Sequence, residues 1–240
     1  MKSSSKFDIV VYGATGFTGQ LVAEYLAAHY TGKGAPKWAM AGRSLEKLAS
    51  VRDAIGAPAD TALIAADAGD PASLKAMIDQ TNAVITTVGP YQLYGSELVA
   101  ACAATGTDYL DLCGEPVWMR QMIDAHEGAA KSSGARILFS CGFDSLPFEL
   151  GVLFCQKTAK KVLGATVSRV KTRVRGMSTT ISGGTAASFK ASFAAAAKDL
   201  SLVAQLQNPF LLTPGFEGAK QPRGNKPLMD EDLGSWTAPF

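Results

Sequence analysis

The chain has 240 residues, of which 47% are hydrophobic and 18% are charged, so it contains enough apolar material for one large or two small cores. No stretch reaches the roughly 18 uninterrupted apolar residues of a membrane-spanning helix, and residues 1–6 lack the apolar segment of a secretory signal. The four cysteines lack the paired spacing of a metal site, and the net charge is only +2. We therefore expect a cytoplasmic protein with no metal, no transmembrane segment and no nucleic-acid partner.

Charge is distributed unevenly along the chain. Residues 1–150 carry 11 basic and 16 acidic side chains, whereas residues 151–240 carry 12 and 5. This change of composition predicts a domain boundary near residue 150. A basic second half favours an anionic substrate, an acyl carrier or peripheral contact with a lipid surface, although an ordinary solvated face would have the same composition.

Residues 1–142 alternate short apolar runs with amphipathic segments. This order is typical of an α/β fold, a doubly wound parallel sheet with helices on both faces. The segment after the first run places Phe17, Leu21, Val22, Tyr25 and Leu26 on one helical stripe. Six strands are predicted, at residues 8–12, 37–41, 61–66, 83–88, 108–112 and 136–140.

The pattern changes in the second half. A helix capped by Asp144 is predicted through Cys155, and alternation over residues 166–175 predicts an antiparallel strand with a basic face. A helix is expected at about residues 187–206, and the Pro- and Gly-rich sequence after Gln207 shows no clear periodicity. One strand and one helix do not complete a second sheet.

The glycine-rich turn after the first strand carries the strongest functional signal. Its sequence is Gly13-Ala14-Thr15-Gly16-Phe17-Thr18-Gly19. In a dinucleotide-binding turn the first glycine permits the sharp bend, the second lets a pyrophosphate approach, and the third lets the helix pack on the strand. The helix N-terminus then points its free N–H groups at the phosphates. A structural turn without ligand is the alternative.

The residues that follow the second to fourth strands complete the predicted cofactor site. Arg43 and Ser44 follow the second strand, where a guanidinium favours the 2′-phosphate of NADP(H) and a carboxylate would favour NAD. Asp67 follows the third strand beside the expected adenine, and Gly89-Pro90 follows the fourth beside the expected nicotinamide. Arg43 could also be an ordinary surface residue, and Asp, Gly and Pro are common in turns.

Proton donors are harder to assign. Tyr91, Tyr94, Asp111, Glu115 and Asp144 all lie at or just after strand ends on the cofactor side. Asp111 and Glu115 could equally cap helices or pair with a basic residue. No Tyr is followed four residues later by Lys, which disfavours the short-chain dehydrogenases.

Several ordered segments resemble those of one family. They are residues 10–19, 41–44, 88–91, 109–115 and 142–147, with Ser182-Gly183-Gly184-Thr185 in the second half. Through them the chain resembles the saccharopine dehydrogenase-like oxidoreductases, of the branch that includes trans-acting enoyl reductases. The resemblance implies a Rossmann domain, residues 1–150, followed by an α+β substrate and dimerisation domain. Family members are usually longer, so we expect residues 151–240 to be a truncated part of the second domain.

The favoured hypothesis is an NADP-dependent oxidoreductase that transfers a hydride to a small organic or lipid-like substrate, with a homodimer left open. One alternative is a saccharopine dehydrogenase-type C–N oxidoreductase, in which Arg169, Arg173 and Arg175 would recognise two carboxylates. The other is a non-catalytic NADP-binding or scaffold protein.

Overall fold

Six parallel strands form the central sheet of the computed structural model, which describes residues 5–176, 182–219 and 226–238. The strand order is β3-β2-β1-β4-β5-β6, so the order reverses between the neighbours β1 and β4. Clefts that bind ligands open at such a reversal, beyond the carboxyl ends of the strands. The six predicted strands are confirmed as β1 (Phe7–Tyr12), β2 (Trp38–Gly42), β3 (Ala62–Ala65), β4 (Thr81–Thr86), β5 (Asp108–Leu110) and β6 (Ile137–Leu138).

Helices cover both faces of this sheet, because successive side chains of a strand point to opposite sides. Val11 packs with Ala23 and Leu48 on one face. Val10 packs with Leu74 and Leu98 on the other. The helices of this part of the chain are α1 (Phe17–His29), α2 (Leu45–Ala54), α3 (Pro71–Ile78), α4 (Tyr91–Tyr94), α5 (Ser96–Thr105) and α6 (Pro116–Ser133).

Helix α1 faces the sheet with small residues rather than with its whole apolar stripe. Of the predicted stripe, Leu26 is buried, but Phe17, Leu21 and Tyr25 have exposed fractions of 73%, 50% and 55%. The buried positions are Gly19, Ala23 and Leu26. The helix lies so close to the turn after β1 that only small side chains fit between them. A hydrophobicity pattern does not predict such a contact, because small residues contribute little to it.

The second half contains more regular structure than the sequence predicted. Its elements are α7 (Leu146–Leu163), α8 (Gly183–Lys198), α9 (Ser201–Leu206) and the antiparallel hairpin of β7 (Leu228–Asp230) and β8 (Ser235–Thr237). Ser145, not Asp144, is the N-cap residue of α7. The helix predicted at residues 187–206 is divided at Asp199, which has an extended backbone and accepts the Ser201 N–H.

The antiparallel strand predicted at residues 166–175 is wrong, since these residues form no strand or helix. Lys171 donates to Asp232 at 2.9 Å, and Arg173 is paired with Asp230 and Asp232 at 2.7 and 2.8 Å. Ion pairs with a distant hairpin therefore hold this segment, in place of a strand ladder.

Buried side chains are confined to the first half of the chain among the residues that the structure describes. Ala130 is the last fully buried residue in the described ranges, and α7, α8 and α9 have none. No described helix is long and apolar enough to cross a membrane. The domain division at residue 150 stays a prediction.

Candidate functional site

The glycine-rich turn connects β1 to α1 at the point where the strand order reverses. The Gly13 N–H donates to the Ala41 carbonyl at the end of β2, and the Gly16 N–H donates back to the Gly13 carbonyl, both at 2.9 Å. Thr87, just after β4, donates its hydroxyl to the same Gly13 carbonyl at 3.3 Å. The turn is therefore tied to both neighbouring strands. No side chain caps the N-terminus of α1, so no side-chain acceptor competes with an anion for its first N–H groups.

The three glycines of the turn meet different constraints. Gly13 has φ +89°, and a Cβ there would lie 2.8 Å from side-chain atoms of Thr87 and Val88. A Cβ at Gly19 would lie 2.1 Å from the Gly13 carbonyl oxygen, so the packing of α1 excludes any side chain. Gly16 has φ −80°, and a Cβ there would meet only the Gly13 oxygen, at 3.3 Å. The fold demands glycine at positions 13 and 19, whereas Gly16 is the least crowded of the three and leaves its backbone accessible to a pyrophosphate.

The ends of β2 and β3 lie at the same edge of the sheet. Arg43 is exposed just beyond β2, and Asp67 is exposed just beyond β3. Burial raises the pKa of Tyr12, at the end of β1, to about 12; the charge of Asp67 adds to this shift and that of Arg43 opposes it. Both charges therefore act on one hydroxyl beside the glycine-rich turn. The Ser44 hydroxyl accepts the Lys47 N–H and caps α2.

The loop after β4 leads through the Gly89–Pro90 peptide, which is cis, into the short helix α4. Because Thr87 and Val88 touch the glycine turn, this loop borders the same cleft. Gly89 and Pro90 thus lie at the carboxyl edge, where the sequence placed them. Their contact with a cofactor stays a prediction.

Three of the proton-donor candidates, Tyr91, Asp111 and Glu115, are buried and engaged in the fold. The Tyr91 hydroxyl donates to the Thr86 carbonyl at 3.3 Å and accepts the Leu112 N–H at 3.4 Å. Burial raises the Tyr91 pKa far above its usual value, and the charge of Asp111 adds to the shift. The carboxylate of Glu115 is also buried and accepts the N–H groups of Tyr91 and Gln92, both at 2.9 Å.

Asp111 holds the loops that follow β5 and β6. Its buried carboxyl accepts the Tyr109 hydroxyl and the N–H groups of Cys113 and Ser140, at 2.8, 3.0 and 2.8 Å. Burial raises the pKa of Asp111, although these hydrogen bonds oppose the shift. Ser140, which has φ +59°, donates its hydroxyl to the Cys113 carbonyl. These hydrogen bonds give the Asp111 carboxyl group a structural role after β5. They do not assign it a catalytic role.

Tyr94 and Asp144 are accessible to a ligand. Tyr94 ends α4 with an exposed fraction of 48%, and Asp144 is exposed in the loop between β6 and α7. The structure thus brings Tyr91, Asp111 and Glu115 into one buried network and leaves these two outside it. Sequence reasoning did not find Thr87, whose contact with the turn joins positions 74 residues apart.

Strand order, glycine turn and uncapped helix N-terminus together define a Rossmann-type dinucleotide-binding protein. Residues 9–138 match the saccharopine dehydrogenase NADP-binding domain. The chain belongs to this family, as the sequence motifs indicated, and the match confirms NADP(H) as the cofactor.

Curated relatives cover nearly the whole chain. A Mycobacterium tuberculosis protein, provisionally named a trans-acting enoyl reductase, is 43% identical over 98% of this chain and 58% of its own. The trans-acting enoyl reductase of Mycobacterium leprae is 40% identical over 98% of this chain and 56% of its own. The chain therefore spans just over half the length of these relatives.

A solved structure shows the same fold. Apo saccharopine dehydrogenase (L-Glu forming) from Saccharomyces cerevisiae superposes with a TM-score of 0.50 at 19% identity, over 66% of this chain and 32% of that one. At this identity the likeness concerns the fold alone.

The different surroundings of Gly16 and Gly19 give a paired prediction. Gly16→Val should keep a near-normal circular dichroism spectrum and lose NADPH binding, because its Cβ needs only a small shift of the Gly13 oxygen while the side chain blocks the approach path of the pyrophosphate. Gly19→Ala should destabilise the fold itself, since its Cβ would overlap the Gly13 oxygen. Circular dichroism, urea unfolding and NADPH fluorescence titration measure these effects. Retained NADPH affinity in Gly16→Val would remove the turn from the binding site.

Proposed function

We propose that this chain carries the cofactor site of an NADPH-dependent reductase that adds a hydride to the activated carbon–carbon double bond of an enoyl substrate. The supporting observation is the glycine-rich turn, in which a Cβ at Gly16 would meet a single protein atom, the Gly13 carbonyl oxygen at 3.3 Å, so that the backbone at this position is the most accessible of the three glycines to a pyrophosphate. The names of the curated relatives indicate the substrate class. A lipid-like substrate and a homodimer belong to the same proposal.

Arg43 is proposed to select NADP(H) over NAD(H). It follows the last residue of β2 and is exposed, so its guanidinium is accessible to a 2′-phosphate. Arginine binds phosphate through two parallel hydrogen bonds, which a lysine does not reproduce. Ser44 is adjacent, but its hydroxyl already accepts the Lys47 N–H, so Arg43 would provide the main contact with the phosphate.

The reaction also requires a proton. Bound NADPH supplies a hydride, and the reduced double bond takes a proton on the neighbouring carbon. Tyr91 and Glu115 are committed to the hydrogen bonds described above, whereas Tyr94 and Asp144 are exposed. We therefore favour Tyr94 or Asp144 as the proton donor.

The second half gives little support to recognition of an amino-acid pair. That alternative needs free guanidinium groups for two carboxylates. Arg173 is already paired with Asp230 and Asp232. One of the three arginines considered for this role, Arg173, is thus already neutralised within the chain.

Cofactor choice is tested at Arg43. Arg43→Ala should weaken NADPH binding by about 1.5 to 3 kcal/mol, the usual scale for a hydrogen bond to a charged group, and leave NADH binding nearly unchanged. Arg43→Lys should recover only part of the loss, because a lysine keeps the charge without the fork of donors. Fluorescence titration with both cofactors at low and high salt measures this. Parallel losses for NADPH and NADH would contradict recognition of the 2′-phosphate by Arg43.

The reaction is tested with deuterated cofactor. We expect the chain to oxidise [4,4-²H₂]NADPH in the presence of an α,β-unsaturated thioester and to place one deuterium on the β-carbon of the saturated product, as mass spectrometry would show. A mixture of 2-oxoglutarate and lysine should cause no oxidation. Turnover with that mixture, or none with any thioester despite tight NADPH binding, would contradict the enoyl reductase proposal.

A further inference from the structure

The buried carboxylate of Glu115 joins three segments that are far apart in sequence. Oε1 accepts the Tyr91 N–H at 2.9 Å, and Oε2 accepts the Gln92 N–H at 2.9 Å, both at the start of α4, where the loop after β4 ends. Oε1 also accepts the hydroxyl of Ser188 in α8 at 2.8 Å. Glu115 itself precedes α6, after β5. One side chain therefore connects two loops of the cofactor edge with a helix of the second half.

A second hydrogen bond connects α8 with the start of α4. The Gln92 side-chain amide donates to the Ser192 hydroxyl at 3.2 Å. Ser188 and Ser192 are four residues apart, so they lie on one face of α8, one turn from each other. Both are partly buried, whereas Phe189 and Phe193 beside them are exposed. Helix α8 is thus fastened at two points to the segment that follows Gly89-Pro90.

The chemistry of the contact requires a carboxylate. All three partners of the Glu115 side chain donate hydrogen bonds, and an ionised carboxyl group only accepts them. A glutamine of the same shape would turn an N–H₂ group toward at least one of these donors. In the described residues no lysine or arginine forms an ion pair with Glu115, so hydrogen bonds alone satisfy this buried side chain.

We propose that Glu115 is a positioning residue that fastens helix α8 to the nicotinamide-side loop, by which we mean residues 87–92 between β4 and the start of α4. This inference rests on the proposed function, because it needs a dinucleotide whose nicotinamide lies beyond β4. Glu115 presents no free donor to a substrate and acts through the loop. Because Glu115 holds this loop in one conformation, less free energy is lost in ordering the loop when the nicotinamide half binds.

The test separates the two halves of the cofactor. NADPH and 2′-phospho-ADP-ribose share the adenine, the phosphates and the 2′-phosphate, and only NADPH carries the nicotinamide. The ratio of their dissociation constants therefore measures what the nicotinamide half contributes. Titration calorimetry would give this ratio for the unmodified 240-residue chain and for Ser188→Ala, Glu115→Gln and Ser50→Ala, a matched control in which an exposed serine of α2 is replaced.

Ser188→Ala should reduce the preference for NADPH by about tenfold, equivalent to about 1.4 kcal/mol, while the affinity for 2′-phospho-ADP-ribose stays within about twofold. Glu115→Gln should reduce the preference at least as much, and Ser50→Ala should not change it. Ser188→Ala keeps both backbone hydrogen bonds to Glu115, so it tests the proposal even where Glu115→Gln fails to fold. A merely structural contact would lower the thermal midpoint without changing the ratio, and that result would overturn the proposal. If the unmodified chain bound neither ligand, the proposed function would fail, and this inference with it.

Discussion

The close approach of α1 to the turn at Gly13 is the contact on which the cofactor edge depends. No side chain fits at Gly19, where a Cβ would lie 2.1 Å from the Gly13 oxygen. This contact sets the start of α1 at Phe17 and leaves its first N–H groups free of a side-chain cap. The dipole of the helix then favours an anion at this point. Thr87 and Ala41 hold the turn from the strands on either side, so the cradle is built before any ligand arrives.

Two buried carboxyl groups hold the segments that follow β4, β5 and β6 at the carboxyl edge of the sheet. Asp111 holds the loops after β5 and β6, and Glu115 connects the loop after β4 with α8. Burying a polar group is costly unless hydrogen bonds compensate, and each of these carboxyl groups accepts three. They resemble catalytic acids in the sequence because both follow β5. The structure instead shows that both carboxyl groups bind backbone N–H groups of segments bordering the cleft.

Local sequence signals predicted the Rossmann part well, because its strands are short apolar runs that end at turns. The glycine-rich turn at residues 13–19 was also predicted, because it directly follows the first of these strands. The buried face of α1 was not, since Gly19 and Ala23 pack closely without a hydrophobic signal. The hairpin β7–β8 and its ion pairs were also missed. Arg173 and Asp230 are 57 residues apart, and periodicity carries no information about such a pair. The contact of Glu115 with Ser188, over 73 residues, is hidden in the same way.

We propose that the glycine-rich turn and the ends of β2 and β4 together form the NADP(H) site. The most direct test compares the thermal midpoint of the chain with NADPH and with NADH at equal concentration, because a ligand bound only by the folded state stabilises it by mass action. The account predicts a larger rise with NADPH. Equal shifts for the two cofactors, or a larger rise with NADH, would contradict it.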